Sequence, residues 1–145
     1  MVLVKEIDLN RVDECIELDA NSINLWSKKQ WISEFNKEGV KVLLLLLSTR
    51  VIGVCVFQVV IDEAQINYFS IHPEFRRNGY GTHLMRNTIN RCKVLNLGKL
   101  LLEVSAANSI AQEFYNYFNF LTVGKRRNYY KDGSDAVLKE KKLFK

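Results

Sequence analysis

Residues 69–85 read F-S-I-H-P-E-F-R-R-N-G-Y-G-T-H-L-M, and residues 100–115 read L-L-L-E-V-S-A-A-N-S-I-A-Q-E-F-Y. A short apolar run ends at Ile71, and a helical pattern begins near Gly79. Between them lies R-R-N-G-Y-G-T, Arg76 to Thr82. Gly79 and Gly81 let the backbone turn tightly and approach a ligand closely. A helix that starts there points free N–H groups back at the turn, and its dipole favours an anion. Arg76 and Arg77 add charge for phosphate oxygens. The stretch therefore predicts a pyrophosphate cradle at a strand-to-helix junction. It is not a Walker loop, because no Gly-Lys-Ser/Thr follows. It is not a dinucleotide fingerprint either, because one of the three glycines is missing and the junction comes late in the chain. By itself it also suits a basic turn ahead of a surface helix.

Working outward, Val2, Val4 and Ile7 suggest a first strand. Asp8 or Asn10 then caps a helix to about Ala20, with Val12, Cys15, Ile16 and Asp19 at helical spacing. Ser27 opens S-K-K-Q, a capping-box spelling, and a second helix through Phe35. Val40 to Leu47 and Val51 to Ile61 read as a hairpin, and Ala64 to Ile71 returns as a third strand of a meander. A helix from Gly79 to Asn96, stopped by Gly98, carries Leu84, Met85, Thr88, Ile89, Cys92 and Leu95 on one stripe. Leu100 to Val104 reads as an interior strand, apolar on both faces. Asn108 caps a helix through Phe118. Thr122 to Tyr130 and Ala136 to Leu143 form a last hairpin across K-D-G-S. The order β-α-α-β-β-β-α-β-α-β-β predicts an α/β (α+β) fold. Its mixed, mostly antiparallel central sheet is flanked by helices in one domain spanning residues 1–145.

Composition narrows the function classes. With 48% apolar and 26% charged residues over 145 positions, the chain can bury a core and is not disordered. The longest apolar run, Val42 to Leu47, is too short to span a bilayer, so no membrane association is expected. The opening M-V-L-V-K-E-I-D reads as a strand rather than a signal peptide, which suggests a cytoplasmic protein. Cys15, Cys55 and Cys92 lack C-x-x-C spacing and read as reduced core thiols. Two histidines, His72 and His83, do not make a zinc site, so no metal is expected. The net charge of +5 gathers late, at Arg126, Arg127, Lys131, Lys139, Lys141, Lys142 and Lys145. It reads as a solvated face. No stacking motif or basic helix accompanies it, so direct nucleic-acid binding is not expected.

Arg76, Gly79 and Gly81 also fill R/Q-x-x-G-x-G/A, the acetyl-CoA signature of the GNAT superfamily of N-acetyltransferases, which the chain resembles. Further matching pieces are L-W-S-K-K-Q-W (Leu25–Trp31), L-E-V-S-A-A-N-S (Leu102–Ser109), F-Y-N-Y-F-N-F (Phe114–Phe120) and R-R-N-Y-Y (Arg126–Tyr130). The likeness covers nearly the whole chain. It points within the superfamily to the bacterial ribosomal-protein-alanine N-acetyltransferases. The chain departs from that pattern at Leu25, where the family has proline, and at Lys139, where it has an apolar residue; Lys139 reads as solvent-facing.

The resemblance implies acetyl transfer from acetyl-CoA to the N-terminal amine of a protein, the first alanine of small-subunit ribosomal protein number eighteen. Another amine acceptor, such as a polyamine, a small molecule or a protein lysine, stays open. So does a basic ribosome- or nucleic-acid-binding domain without turnover. The cofactor would be held by Arg76, Arg77, Asn78, Gly79, Tyr80, Gly81 and Thr82. Phe69, Ser70 and Ile71 would align the thioester through a main-chain N–H assigned to Ile71. Asn108 would hydrogen-bond the pantetheine arm. Glu103 is the candidate base: a carboxylate at the end of an apolar strand is costly unless it has a task or a partner. A solvated strand end is the plainer reading. Tyr115 shares a helix face with Asn108, two turns away, and is the candidate proton donor to the thiolate. Packing with Phe114 and Phe118 is its plainer reading, and capping alone is that of Asn108. Trp26, Trp31, Tyr129 and Tyr130 are candidate walls of the acceptor groove, and Tyr68 reads as sheet packing.

Overall fold

The computed structural model describes residues 2–144. Its elements are β1 (Val2–Ile7), α1 (Val12–Ala20), α2 (Lys28–Phe35), β2 (Val40–Leu47), β3 (Arg50–Val60), β4 (Glu63–Ile71), α3 (Tyr80–Val94), β5 (Lys99–Ser105), α4 (Ser109–Tyr117), β6 (Leu121–Arg126) and β7 (Ala136–Lys142). This is the expected order. The strands form one seven-stranded sheet, β1-β2-β3-β4-β5-β7-β6. Every pairing is antiparallel except β4 with β5. On one face Leu84, Met85, Ile89 and Cys92 of α3, with Phe118 just past α4, pack onto Leu43, Leu45, Cys55, Phe57 and Ile66, and α4 adds the partly buried Ala111, Phe114 and Tyr115. On the other, α1 and α2 pack Val12, Cys15, Leu18 and Trp31 onto Val42, Leu44, Val54, Val56 and Tyr68. Covering on both faces explains the unbroken apolar letters of β2 and β3.

Two irregularities shape the middle of the sheet. β4 pairs with β5 only from Glu63–Lys99 to Ile66–Leu102, after which the two strands part. At that point β4 carries a bulge: Val56 lies opposite Tyr68 and Phe57 opposite Ile66, leaving Asn67 without a partner in β3. The extra residue reverses the alternation. Ala64 and Ile66 belong to the core under α3 and α4, whereas Tyr68 turns to the core under α1 and α2. Asn67 is tied down by donating from Nδ2 to Glu34 Oε1 of α2 at 2.8 Å.

Local capping follows the sequence at α2 and α4. At α1 the expectation is corrected: Asp8 Oδ1 accepts from Asn10 N in a 3-10 turn, Leu9–Arg11, that leads into the helix. The helix itself, with Arg11 at its N-cap, has no side-chain cap among the described residues. Ser27 Oγ accepts from Gln30 N and Gln30 Oε1 accepts from Ser27 N, the expected capping box. Elsewhere four expectations are corrected. The α3 helix ends at Val94, so Leu95 falls past its end and is exposed rather than on the buried stripe, and the left-handed residue beyond is Asn96 (φ 60°), not Gly98. Gly98 instead donates to the Asp62 carbonyl and accepts from Leu143 N. β5 is apolar on one face only: Leu100, Leu102 and Val104 are buried, while Leu101, Glu103 and Ser105 are half-buried, because α1 and α2 do not reach over this strand. β6 stops at Arg126, since Tyr129 and Tyr130 both donate to the Ser134 carbonyl and close a wider loop. Lys139 does not face solvent. It is 3% exposed, its stem runs beneath α4, and Nζ donates to Asn116 Oδ1 (2.9 Å) and Thr122 Oγ1 (3.1 Å).

Trp31 is likewise core rather than groove, with no exposed surface, and its Nε1 donates to Asp19 Oδ2 at 3.0 Å. Trp26 packs against it at 4.7 Å and against Tyr68 at 5.3 Å. Trp31→Ala should therefore cost about 3–5 kcal/mol of stability, as large-to-small changes of buried aromatics do. Chemical denaturation should show that loss; a loss under about 1 kcal/mol would place the ring at the surface.

Candidate active site

Gly79 has φ +80° and no neighbour within 4 Å of where a Cβ would stand. Its left-handed backbone, together with Arg77 at φ 64°, swings the chain from β4 into α3. Among the described residues no side chain caps that helix. The first helical bond runs from His83 N to the Gly79 carbonyl at 3.1 Å, so the N–H groups of Tyr80, Gly81 and Thr82 lack an intrahelical partner. They form a ready anion site. Arg76 plays a different part from a free phosphate clamp: its Nε donates to the Ile71 carbonyl at 3.0 Å and staples the turn to the end of β4. Asn78 braces the turn by donating to the Phe75 and Arg76 carbonyls. Tyr80 packs edge-on to Phe75.

The turn opens onto a cleft of about 580 Å³. Arg76, Arg77, Gly79, Gly81 and Thr82 form one end, Phe69, Ser70 and Ile71 the floor, and Asn108 and Tyr115 the α4 wall. The cleft exists because β4 and β5 have parted. Past Ile66 the edge of β4 toward β5 has no ladder partner, so main-chain groups of Phe69–Ile71 are left for a ligand. Ser70 is 5% exposed, and its Oγ is the buried side-chain polar atom among the described residues without a hydrogen-bond partner. Asn108 Oδ1 caps α4 by accepting from Ala111 N at 3.0 Å. The sequence reading missed Ile23, Ile110, Ala111 and Phe114, which also line the cleft. Phe114 carried a packing signal only; it does pack against Phe69 at 5.5 Å while forming the wall.

The two candidate proton carriers approach the parting from opposite faces. Tyr115 lines the cleft on the α4 side and packs against Phe114 and Phe120. Burial raises its phenol above the ordinary tyrosine range, with smaller contributions from Cys55 and Tyr130. Among the described residues its hydroxyl makes no hydrogen bond. Glu103 stands on β5 one residue past the last pair with β4, on the face away from Leu102 and Val104. Its Oε1 accepts from Arg126 Nε at 3.2 Å, so the carboxylate has a partner, which sequence spacing did not reveal. Arg126 also stands over the Tyr129 ring at 5.7 Å. The Tyr130 phenol is raised by burial and then by the Glu103 charge. The three cysteines are buried and free, with burial pushing Cys15 and Cys55 up to about 12 and Cys92 to about 11. They are not nucleophiles at neutral pH.

The sequence profile of the Acetyltransferase (GNAT) family matches residues 10–120. The chain belongs to the GNAT acetyltransferase family. Among GNAT proteins it is 33% identical to the [ribosomal protein bS18]-alanine N-acetyltransferase of Haemophilus ducreyi, over 90% of each chain. It is 31% identical to the enzyme of the same name from Escherichia coli strain K12, over 78% of each. The crystal structure of the ribosomal-protein-S18-alanine N-acetyltransferase from Escherichia coli superimposes with a TM-score of 0.94 at 25% identity, covering 100% of this chain and 96% of the other. Ard1 from Thermoplasma volcanium shares the fold, with a TM-score of 0.88 at 22% identity over 99% of each chain. The GNAT membership and these relatives make the chain an acetyl-CoA-dependent N-acetyltransferase. The turn and cleft suit that cosubstrate: free N–H groups and the Arg77 charge are of the kind a pyrophosphate would need, and the unpaired edge of β4 is of the kind an amide-bearing arm would need.

Proposed function

We propose that the protein acetylates the N-terminal alanine of small-subunit ribosomal protein bS18, in the cytoplasm, where that substrate and acetyl-CoA meet. The relatives bearing that name, at 31–34% identity over most of the chain, support the acceptor. The observation that carries the chemistry is a single cleft, formed where β4 and β5 part, that holds the uncapped turn at one end and Tyr115 on its wall. Acetyl-CoA supplies a thioester whose carbonyl carbon accepts the amine. Tyr80, Gly81 and Thr82 bind the pyrophosphate through their N–H groups, and Arg77 adds charge. The main chain of Phe69–Ile71 aligns the pantetheine arm, with the Ile71 N–H polarising the carbonyl. Asn108 hydrogen-bonds the same arm.

Glu103 takes the proton that the ammonium form of the acceptor must lose before its nitrogen can attack, and releases it to solvent. As the N–C bond forms the nitrogen sheds a second proton to solvent, and Tyr115 gives a proton to sulfur as the C–S bond breaks. Tyr115 then regains a proton from solvent, and both residues return to their starting states. The acceptor reaches the parting from the face of β5 that carries Glu103, bounded by Tyr129, Tyr130 and the loop between α1 and α2. The test is a competition between an Ala-initiated peptide of the bS18 N-terminus and the same peptide blocked at its amine and carrying lysine. Mass spectrometry should find acetyl on the free N-terminus first; faster labelling of lysine would overturn the acceptor.

The cradle has its own test. A Cβ on Gly81 would meet Phe114 Cε1 at 3.4 Å and Ile71 Cγ1 at 3.7 Å, ordinary contacts, so the fold accepts a small side chain. The γ-methyls of Gly81→Val would instead enter the cleft beside the free N–H groups. Calorimetry should show acetyl-CoA affinity reduced about tenfold or more, roughly 1.4 kcal/mol, in a folded variant. Unchanged affinity would place the pyrophosphate elsewhere.

A further inference from the structure

Asp19 lies on α1, on the opposite side of the sheet from the cofactor turn, and is 1% exposed. Four donors converge on its two oxygens. Oδ1 accepts from Leu25 N (2.9 Å) and from the Tyr68 hydroxyl (3.0 Å). Oδ2 accepts from Trp26 N (2.9 Å) and Trp31 Nε1 (3.0 Å). The Asp19 carbonyl also accepts from Asn24 N at 2.7 Å. One residue thus shapes the whole α1–α2 loop, which would otherwise carry unpaired main-chain groups at Leu25 and Trp26. The same loop places Ile23 on the cleft.

The bond from Tyr68 connects that loop to the other half of the site. Tyr68 reaches Asp19 only because the bulge at Asn67 turns it to the α1 side. It directly precedes Phe69, Ser70 and Ile71, the floor of the cleft. Ser22 Oγ stands 3.4 Å from the Tyr68 hydroxyl and reinforces the junction. Buried hydrogen-bonded networks of this kind specify one arrangement of the segments they join.

We propose that Asp19 is a positioning residue for acceptor binding, holding the α1–α2 loop in register with β4 through Tyr68. It rests on the reading of this cleft as the acetyl-transfer site. Its effect falls on the acceptor, because the cofactor turn and α4 take no bond from Asp19. Asp19→Asn keeps the size of the side chain. Whichever way the amide is flipped, however, its NH₂ group faces two donors, since each oxygen accepts two bonds. Tyr68→Phe keeps the ring and its packing and removes only the tie to the strand.

The experiment uses the full-length protein and whichever amine peptide, Ala-initiated or lysine-bearing, the unmodified enzyme labels, so an error in the assigned acceptor does not affect it. Both variants should show acceptor KM raised about tenfold, with kcat within about threefold and acetyl-CoA affinity within about twofold. The double variant should be no worse than the more damaged single one, because the two side chains act as one unit. Hydrogen exchange should speed up at residues 21–27 and not in α3 or β5. Acceptor KM unchanged in folded Tyr68→Phe would overturn the proposal. So would acetyl-CoA affinity falling in step with acceptor KM, or exchange accelerated across the whole sheet, since each marks a structural role alone. Should Asp19→Asn fail to fold, Tyr68→Phe decides by the same readings.

Discussion

Glu103→Gln is expected to lower turnover by about 10² to 10⁴, the usual contribution of a positioned general base. The amide keeps the shape of the side chain and can still accept a hydrogen bond from Arg126, whose Nε now lies 3.2 Å from Oε1. It cannot take the proton of the incoming amine. The defect should be largest at low pH, where the acceptor is almost wholly protonated. It should shrink as pH rises through the α-amino range of about 7.7–8.0, because the amine then arrives already neutral. Acetyl-CoA affinity should not change, since Glu103 is not among the residues lining the cleft. Steady-state rates from pH 6 to 9 would check it. A rate within about twofold of the original across that range would make Glu103 only the ion-pair partner of Arg126.

Tyr115→Phe should slow turnover by about 10²-fold while leaving acetyl-CoA affinity within about twofold. The phenyl ring keeps its contacts with Phe114 and Phe120, 5.5 and 5.8 Å away between centroids, so packing changes little. What is lost is a hydroxyl that borders the cleft with no protein partner among the described residues. The sign of the pH effect follows from its raised phenol. The neutral, proton-giving form persists above the ordinary tyrosine value of about 10, so no alkaline loss of kcat from this residue should appear at or below about pH 10. If turnover of the variant matches the original at neutral pH, Tyr115 is a packing residue and sulfur takes its proton from elsewhere.

How much of this could be read from the chain depends on how far apart the interacting residues lie. The turn Arg76–Thr82, the capping box at Ser27–Gln30, the Asn108 cap and the element order all follow from neighbours a few positions apart, where backbone preferences and hydrogen bonds act locally. The family signature lies in that same local stretch, so the acetyltransferase reading was available before any fold. Ladder register and side-chain meetings are different. The bulge at Asn67 depends on how β3 and β4 pair, and no letter of either strand announces it. It turns Tyr68 toward Asp19, 49 positions away, making a buried carboxylate the fastening of the α1–α2 loop. Arg126 reaches Glu103 across 23 positions because β7 lies between β5 and β6. Lys139 is drawn under α4 because Asn116 and Thr122 both come within reach of its amine. A charged or polar letter in a sequence reads as solvent-facing by default. Only the packed chain decides which ones are buried, since a buried polar group persists only where distant segments deliver its partners.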